Sequence, residues 1–582
     1  MCFLGAMSIY GLGVEAIVAL GEITRLSADV LVIGAGAAGM SAAIAADEAG
    51  SSVLLVDRSL IGRGGATVMA QMTVAVALGE EVPDRWENHL ADTLAAGRGL
   101  CDEGLAALLC ENGPDEIRRM ESWHVGWARH PDGRIRQAHA PGHDRPRCCY
   151  VDFLSTGPAV SRTLRAQVQR HAKIRRVGDL CITDLAVVDG VASGAVGFAV
   201  SDGRKVAIAA KTVIVATGGL TRLYRRNSAS QNMGGDGYAL ALRAGARLRD
   251  MEFVQFFPIG HLAPRLIGMD PIMWDPFRYK LGGRLLNADG REFIDAYGVS
   301  EDGTYKATRD LATYAILKEV EAGRGSPAGG VYLSFRHVPP DKLRDAFGPV
   351  IDRLARNGID LASGDVEVAP IAHYHMGGVR VSDTLETDVP NLFAAGEAVG
   401  GANGANRLSG NAITEALVFG RHAGFAAAAR AKIIAASPWR DDAAAASFAL
   451  LAEEERGDAN CAALIVALQD AMARDVGPFR TAARLGRALT EITRIRRAMG
   501  AAPPPVQGPF DTHRLDWFDL RNIVLVAEAV AAAAQRRRES RGAHQRDDFP
   551  APDEAWAKSQ VITFDGEHLA FDGERAIAEA VP

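Results

Sequence analysis

A complete GxGxxG motif between two β-type segments constrains this fold more than any other feature of the sequence. Ala28 to Ile33 is a short apolar run that stops at Gly34, and Val53 to Asp57 is typical of a second strand. The Ala-rich segment between them has the composition of a helix packed against a sheet. Together these segments predict a βαβ unit, the start of a doubly wound α/β domain.

The glycines of this motif have separate tasks. Gly34 permits a tight turn, Gly36 lets the backbone approach a pyrophosphate, and Gly39 lets helix and strand pack closely. The N-terminus of the helix then faces the phosphates. Asp57 ends the second strand, where it can accept hydrogen bonds from ribose hydroxyls. We therefore expect a bound dinucleotide, and the second glycine cluster at 62–67 suits a loop around the rest of it.

Later apolar segments indicate that the sheet is interrupted by an inserted domain. Thr212 to Ala216 runs into two glycines, and Asn391 to Ala395 runs into Gly396. The intervening segment is richer in Trp, Phe and Pro, and the chain after about 430 is rich in Ala, Arg and Glu. The predicted organisation is an extension at 1–27, a discontinuous dinucleotide-binding domain at 28–240 and 366–430, an inserted domain at 241–365, helices at 431–540 and a polar tail at 541–582.

Charge and cysteine content exclude several classes of function. The 582 residues include 64 Lys and Arg against 71 Asp and Glu, a net charge of −7, which argues against a basic nucleic-acid binder. Only 7 residues are Cys and no CxxC pair occurs, so a disulfide scaffold, a thiolate metal site and a resident iron–sulfur cluster are disfavoured. We predict no metal site. A redox role would need an organic cofactor and an electron partner on another polypeptide.

Targeting signals are weak. The segment 1–26 is apolar, but no Lys or Arg precedes its apolar stretch and Glu15 interrupts it, which argues against a signal peptide. An ordered extension or a start at Met7 is the alternative. The longest apolar window, 523–534, is too short to span a membrane and is predicted to be a buried helix. We expect a cytoplasmic protein without a transmembrane segment, and we interpret Arg536 to Arg538 as a solvated helix end.

Six ordered motifs make the chain resemble the flavoprotein subunits of succinate dehydrogenase and fumarate reductase, a family that includes L-aspartate oxidase. They are GAGAAG at 34–39, RDMEFVQF at 249–256, HYHMGGV at 373–379, LFAAGEA at 392–398, GANRLSGNA at 404–412 and ESRGAHQRDDF at 539–549. The resemblance implies an α/β fold: a Rossmann-like FAD-binding domain, an inserted α+β capping domain and a C-terminal helical domain.

The resemblance also implies which residues hold FAD. In many respiratory members a His in the second glycine loop attaches the flavin covalently, and that position is Ala66 here, so we expect non-covalent FAD. The predicted cofactor contacts are Gly34, Gly36, Ala38, Gly39, Asp57, Arg58, Gly64, Gly65, Ala66, Thr67, Asp236, Glu397, Asn411, Ala412 and Ile413.

By the same resemblance, the reaction moves a hydride between flavin N5 and a substrate C–C bond next to a carboxylate. Arg309 matches the family's proton carrier, although an arginine gives up a proton only in a dry site with neighbouring positive charge. Arg407 matches the residue that grips a substrate carboxylate, and His373 adds a further donor. These three residues are the predicted catalytic set.

The departures from the family's pattern concern the substrate. Where members have Gln-Tyr/Phe-His-Pro-Thr, this chain has Gln-Phe-Phe-Pro-Ile, so Phe257 and Ile259 replace the His and Thr that bind a second carboxylate. A wall that also includes Trp274 could not compensate a second buried carboxylate. We therefore expect a monocarboxylate substrate with an apolar remainder rather than fumarate or succinate. Arg278, Tyr279 or His375 could complete a different proton path or bind a polar group.

Three functions remain open on these residues. The first is a reductase or dehydrogenase acting at a C–C bond next to a carboxylate, paired with an iron–sulfur or ferredoxin-like electron partner. The second is an oxidase similar to L-aspartate oxidase, which hydrogen peroxide formation would identify. The third is an electron-transfer subunit of an iron–sulfur complex with a degenerate active site, which retention of Arg309, His373 and Arg407 argues against.

Overall fold

The structure is a computed structural model. It describes residues 23–152, 154–266, 272–274, 278, 281–297, 309–435, 439–451, 457–505, 508–509 and 511–571. Most of the predicted extension at 1–27 lies outside these residues, and the first strand begins at Thr24, four positions before the predicted start.

The largest sheet has seven strands. Their bounds are β1 Thr24–Ile33, β2 Val53–Val56, β6 Ile174–Val177, β7 Leu180–Val188, β8 Val191–Ala199, β9 Lys205–Val215 and β16 Leu392–Ala394. Six of them lie in the order β6-β2-β1-β9-β8-β7, and β16 pairs the end of β9. The sheet is parallel except for β7 and β8, which form an antiparallel extension. The buried run VLLV of β2 is typical of a parallel strand covered on both faces.

The inserted segment forms an antiparallel sheet and three helices. Their bounds are β11 Val254–Ala263, β12 Arg284–Leu286, β13 Val331–Ser334, β14 Val366–His375, α6 Arg309–Glu321, α7 Pro340–Phe347 and α8 Val350–Arg356. The strands lie in the order β11-β14-β13-β12 and are covered by the helices. Strand β14 belongs to this sheet, although the predicted insertion ends at 365. Since β16 rejoins the parallel sheet after this segment, the predicted interruption of one sheet is confirmed.

Helices surround the parallel sheet and form the C-terminal domain. The first group is α1 Ala37–Glu48, α2 Trp86–Ala96, α3 Glu103–Ser122, α4 Thr156–Arg170 and α5 Asp236–Arg243. The second group is α9 Asn411–Ile433, α10 Ala445–Leu450, α11 Cys461–Asp475, α12 Ala482–Ala498 and α13 His513–Arg536. The predicted helix at 523–534 is part of α13 and is buried. Within the described ranges, no helix is both long and apolar enough to cross a membrane.

Helices α1 and α9 pack in parallel through two glycines. A Cβ at Gly420 would lie 2.3 Å from the carbonyl oxygen of Ala38, and one at Gly424 would lie 2.3 Å from that of Ala42. Because both sequences advance in the same direction along this contact, both helix N-termini point to the same end of the sheet. The partial positive charge of both helices is therefore directed at one region.

The segment predicted to be a polar tail is instead folded up to Phe571. The remaining strands are β3 Val74–Ala75, β4 Gln137–Ala138, β5 Cys148–Cys149, β10 Leu248–Arg249, β15 Gly378–Val379, β17 Phe479–Arg480, β18 Gln545–Arg546, β19 Val561–Phe564 and β20 Leu569–Phe571. Strands β19 and β20 of the C-terminal segment extend a sheet in the order β15-β10-β19-β20, and β18 pairs β17. The others form the sheet β3-β5-β4.

The interpretation of Arg536 to Arg538 as a solvated helix end is wrong for the middle residue. Arg537 is fully buried and pairs with Glu252 at 2.5 Å and with Glu539 at 2.8 Å. It also donates to the carbonyl oxygens of Trp556 and Lys558. A buried guanidinium needs these acceptors, which come from the folded C-terminal segment that the sequence pattern did not reveal.

Candidate active site

A cleft of about 1100 Å³, including its open mouth, lies where β1, β2, β9 and β16 end. The carboxyl ends of parallel strands are the usual ligand site of open α/β sheets. Of the predicted cofactor residues, those that line the cleft are Gly34, Gly36, Ala38, Asp57, Arg58, Gly64, Gly65, Ala66, Thr67, Asp236, Glu397, Ala412 and Ile413.

The first glycine turn has the geometry that a bound pyrophosphate requires. Gly34 has φ +102°, and a Cβ on Gly39 would lie 1.8 Å from the Gly34 carbonyl oxygen, so Gly39 serves helix–strand packing rather than the cleft. At Gly36 a Cβ would meet only the Thr67 hydroxyl, at 3.6 Å, and would point into open space. The N-terminus of α1 is thus bare and accessible to an anion.

Asp57 is held by both of its carboxylate oxygens. Oδ2 accepts a hydrogen bond from the Ala35 backbone N–H at 2.7 Å, and Oδ1 accepts from the backbone N–H and hydroxyl of Ser59, each at 2.8 Å. These bonds fix the carboxylate beside the glycine turn, in the position that a ribose-binding acid needs.

Beside Asp57, the C-terminal domain closes one side of the cleft. The buried Arg58 guanidinium pairs with Asp519 of α13 at 2.7 Å and with Asp236 of α5 at 3.2 Å. Although burial disfavours its charge, these two carboxylates raise the pKa of Arg58 above its usual value. Asn522 of α13 also lines the cleft and donates to Asp236 at 3.0 Å. Neither Asp519 nor Asn522 belongs to a motif, so sequence reasoning missed both.

The second glycine loop closes over the first. The Thr67 hydroxyl accepts from the backbone N–H of Ala37 at 3.1 Å, and the Gly65 N–H donates to the Ser230 hydroxyl at 2.7 Å. Ala66 lies between them and places a methyl group on the cleft wall. The loop therefore offers no nucleophilic side chain at position 66.

Glu397 lines the cleft from below and is fully buried. Its Oε1 accepts the backbone N–H of His375 at 3.1 Å, and burial together with the nearby Glu415 raises its pKa to about 8. The ring of His375 is also buried, with Nε2 3.0 Å from the Met251 carbonyl oxygen and Nδ1 3.1 Å from the Tyr238 hydroxyl. His375 therefore lies behind Glu397, not on a surface that a substrate can touch, contrary to its predicted role.

Asn411 does not line the cleft. It is the first residue of α9, is fully buried, and accepts a hydrogen bond from His89 Nε2 at 2.8 Å while donating to the Thr93 hydroxyl at 3.1 Å. Burial lowers the pKa of His89 to about 3, so this imidazole is neutral. The contact ties the N-terminus of α9, with Ala412 and Ile413, to α2.

Arg407 is held by two side chains of the motifs that sequence analysis quoted. Its Nη2 donates to Oε1 of Gln255 at 3.0 Å, and the Gln255 amide donates back to the Arg407 carbonyl oxygen at 3.0 Å. The Arg407 Cζ lies 4.4 Å from the centre of the Tyr374 ring, a cation–π contact. Gln255 and Tyr374 adjoin predicted site residues, so their motifs were a signal that could have identified them.

Tyr374 is itself anchored by buried polar groups. Its hydroxyl donates to Oε2 of Glu415, which also accepts from the Asn403 amide at 2.8 Å. Burial raises the pKa of Glu415 to about 7, against the opposing effects of these donors and of Arg407. Arg407 is consequently oriented by a network that reaches into α9, the helix whose N-terminus faces the cleft.

His373 lies beside an apolar surface. Its Nδ1 is 2.8 Å from the Ser228 hydroxyl, and its ring centre is 5.6 Å from that of Phe257. Phe257 packs in a small cluster with Met72, Met273 and Ile371. The surface next to His373 is thus hydrocarbon and sulfur, where a second carboxylate would find no compensating donor from these residues.

The predicted wall is smaller than the sequence suggested. Ile259 and Trp274 are both 0% exposed and belong to the core of the inserted domain, where Trp274 packs on Phe335 and Phe347. Their assignment to the substrate surface is wrong. β11 shifts register between Phe257 and Gly260, so the face that Phe257 presents cannot be extended to Ile259.

The remaining predicted residues lie at the inserted domain. Arg278 is buried, at 2% exposure, and its backbone carbonyl accepts from Gly283. Tyr279 lies outside the described residues. Arg309 begins helix α6, but its side chain also lies outside the described part.

Comparisons with known proteins agree with this geometry. The family described as FAD binding domain matches residues 29–413, and the family described as fumarate reductase flavoprotein C-term matches residues 466–579. A chain of the fumarate reductase (CoM/CoB) of Methanothermobacter marburgensis is 35% identical over 92% of this chain and 96% of its own. L-aspartate oxidase of Streptomyces coelicolor is 32% identical over 92% and 91%.

Solved structures resemble the whole chain. Sdh1 of Mycobacterium smegmatis superposes with a TM-score of 0.86 at 34% identity, covering 95% of this chain and 94% of that one. An Escherichia coli quinol fumarate reductase superposes with a TM-score of 0.85 at 30% identity, covering 95% and 97%. The cleft is therefore a binding site for FAD.

Proposed function

The chain belongs to the flavoprotein family that contains fumarate reductase flavoprotein subunits and L-aspartate oxidase, and from that premise we propose that it reduces or oxidises a C–C bond next to a single carboxylate. It is an FAD-dependent oxidoreductase. FAD supplies a hydride donor or acceptor when it is bound. The protein's task is to hold the substrate against that cofactor and to move a proton.

Arg407 binds the substrate carboxylate in this proposal, and His373 lies near the adjacent part of the molecule. Gln255, which grips Arg407, and Phe257, which contacts His373, are two residues apart on β11, a separation of about 7 Å along the strand. That spacing fits a small acid lying along the strand. A bidentate carboxylate contact fixes orientation as well as affinity, which makes the reacting bond's position reproducible.

The observation that carries the substrate assignment is the contact between Phe257 and His373. Phe257, Met273 and Ile371 leave no donor beside His373 for the far carboxylate of a dicarboxylate. Leaving such a carboxylate buried and unpaired would cost several kcal/mol. The substrate is therefore an unsaturated or saturated acid whose far end is uncharged.

Arg309 is the proposed proton carrier because it stands at the family's position and begins α6. In addition, FAD is bound without a covalent link, because the methyl group of Ala66 cannot form one. A separate electron carrier, of the iron–sulfur or ferredoxin-like kind, exchanges electrons with the flavin. We place the enzyme in the cytoplasm.

Titration of the oxidised holoenzyme spectrum with matched acids tests the proposal. Monomethyl fumarate and crotonate should perturb the flavin band at lower concentration than fumarate or succinate, since only one end of each is charged. Reduced holoenzyme should be reoxidised by the preferred acid without hydrogen peroxide. Rapid turnover of fumarate would overturn the substrate assignment, and peroxide release during turnover would favour an oxidase resembling the Streptomyces coelicolor relative.

A further inference from the structure

Three arginine side chains form a positive patch beside the FAD cleft. Arg63 follows the turn that begins at Leu60, and Arg162 and Arg165 lie one turn apart on α4. Residues three apart on a helix are neighbours, about 5–6 Å between Cβ atoms. The Ser161 hydroxyl donates to the Gly62 carbonyl oxygen at 2.8 Å, and a Cβ on Gly62 would lie 3.5 Å from Cδ of Arg165. The turn and the helix therefore present one continuous surface.

This patch has an excess of charge that is unusual for the chain. Among the described residues, no ion pair involves Arg63, Arg162 or Arg165, whereas many other exposed arginines are paired. Burial and repulsion from the other two arginines lower the pKa of Arg165. The whole chain has a net charge of −7, so a local cluster of three unpaired cations creates a field opposite to that of the rest.

The position of the patch relates it to the cofactor. Asp57 and Arg58 line the cleft, and so do Gly64 to Thr67, so the turn at 60–63 is bracketed on both sides by cleft-lining residues. The start of α4 rests on the same loop, where a Cβ on Gly157 would lie 2.1 Å from the Thr67 carbonyl oxygen. Leu60, at 60% exposure, adds an exposed apolar side chain at the rim.

We propose that Leu60, Arg63, Arg162 and Arg165 form the docking surface for an acidic one-electron carrier protein. Two reduced carriers, each oxidised by one electron, reduce one FAD, with protons taken from solvent. The charge pattern commits the surface to an acidic protein, because the net negative chain repels such a partner everywhere else and attracts it here. This inference rests on the separate electron carrier of the proposed function and names where that carrier binds.

The test uses holoenzyme and a plant-type [2Fe–2S] ferredoxin as an acidic probe, with flavin bleaching followed anaerobically in a stopped-flow instrument. The triple variant Arg63→Glu/Arg162→Glu/Arg165→Glu should reduce the second-order rate constant about tenfold or more at low ionic strength. The difference from the unsubstituted protein should shrink as salt is added. Leu60→Ser should slow the reaction without changing its salt dependence.

The matched control is Lys342→Glu/Arg353→Glu/Arg356→Glu on α7 and α8. It makes the same change in net charge at exposed positions that line no part of the cleft. Equal loss in both triple variants, or none in the first, would overturn the proposal. Binding of the patch to vesicles of anionic lipid with unchanged ferredoxin kinetics would overturn it as well.

The readout separates this inference from the proposed function. Flavin bleaching needs no organic substrate, so the outcome does not depend on which acid is turned over. Dithionite, a small reductant, should reduce the flavin of the patch variant at the rate seen without substitution, which verifies an intact FAD site.

Discussion

The ring of Tyr374 faces the guanidinium of Arg407, whose Cζ lies 4.4 Å from the ring centre. The hydroxyl of the same ring is bound to Glu415, so one side chain supports the proposed substrate arginine and connects it to α9. A buried cation–π contact contributes about 2 kcal/mol.

Tyr374→Leu is expected to weaken binding of the substrate carboxylate by roughly tenfold or more, because Arg407 loses the ring that orients it. Titration of the flavin band with monomethyl fumarate measures the loss. Tyr224→Phe is the control, since it removes another buried hydroxyl, bonded to the Val476 carbonyl oxygen at 3.0 Å, without contact to Arg407. A similar loss of affinity in both variants would contradict a specific role for Tyr374.

Phe257→His should restore affinity for dicarboxylates. A donor placed beside His373 can bind the far carboxylate, and a hydrogen bond to a charged group contributes about 1.5–3 kcal/mol, so fumarate should bind roughly ten- to a hundredfold more tightly. The ratio of dissociation constants for fumarate and monomethyl fumarate is the measurement. Phe256→His is the adjacent control, because Phe256 packs on Tyr224 instead, with ring centres 5.0 Å apart. No change in that ratio would contradict the apolar-wall argument.

Glu415 gives the stability of the protein a defined pH dependence. Its pKa of about 7 exceeds the usual 4.5, so the folded state holds a proton that the unfolded chain releases between these values. Its stabilising contribution is complete below pH 4.5 and is lost as the pH rises through 7. Relative to the unsubstituted protein, Glu415→Gln should therefore gain stability from pH 5 to 7, by up to about 1.4 kcal/mol per pH unit.

Denaturant midpoints of flavin release, measured at saturating FAD from pH 5 to 8, report this difference. Glu319→Gln is the control, because hydrogen bonds from Arg324 lower the pKa of Glu319 to about 2. Its stabilisation is present above the unfolded pKa and is lost only as the pH falls towards 2, so this variant should show a constant deficit across the range. Parallel curves for Glu415→Gln and the unsubstituted protein would refute the shifted pKa of Glu415.

The buried guanidinium of Arg537 predicts a large effect within one turn of sequence. Arg537→Leu leaves Glu252 and Glu539 without their shared partner and should destabilise the protein by about 3–5 kcal/mol. The neighbouring Arg538→Leu, at an exposed position, should change stability by no more than about 0.5 kcal/mol. Thermal unfolding of the two variants side by side gives the comparison, and equal melting temperatures would be incompatible with the buried network.

Flavin release on denaturation tests the consequence of Ala66. After acid precipitation, the supernatant should be yellow and the pellet colourless, since the methyl group of Ala66 forms no bond to the flavin. A flavoprotein with covalently bound flavin, treated in parallel, should retain its colour in the pellet. A fluorescent protein band on a denaturing gel of this chain would disprove the prediction.

The parts of the FAD site that could be predicted from sequence are those built by neighbouring residues. The glycine turn, Asp57 and the loop at 64–67 follow from spacing, because backbone geometry and a strand end dictate their positions locally. Asp519 and Asn522 could not be predicted, since nothing in their own segment distinguishes them from other polar residues of a helix. Their role comes from packing of α13 against α5.

The substrate side was less predictable because strand alternation failed there. Phe257 lies beside His373, but the register shift before Gly260 separates the environment of Ile259 from that of Phe257. Likewise, His375 is two residues from His373, yet Tyr238 and the Met251 carbonyl hold its ring behind Glu397. Irregularities of pairing and partners distant in the chain decide such positions, and neither leaves a mark in the local sequence pattern.

The ion pair between Arg58 and Asp519 also sets an order of events during synthesis. Their positions differ by 461 residues, so at about 5–20 residues per second the ribosome needs roughly 20 to 90 s between them. Throughout that interval the nascent N-terminal domain has Arg58 but not its main carboxylate, and the cleft lacks the side that Asn522 provides. Cofactor capture is thus postponed until the chain is nearly complete, and a nascent or truncated chain that ends before α13 would wait for its flavin with an open site.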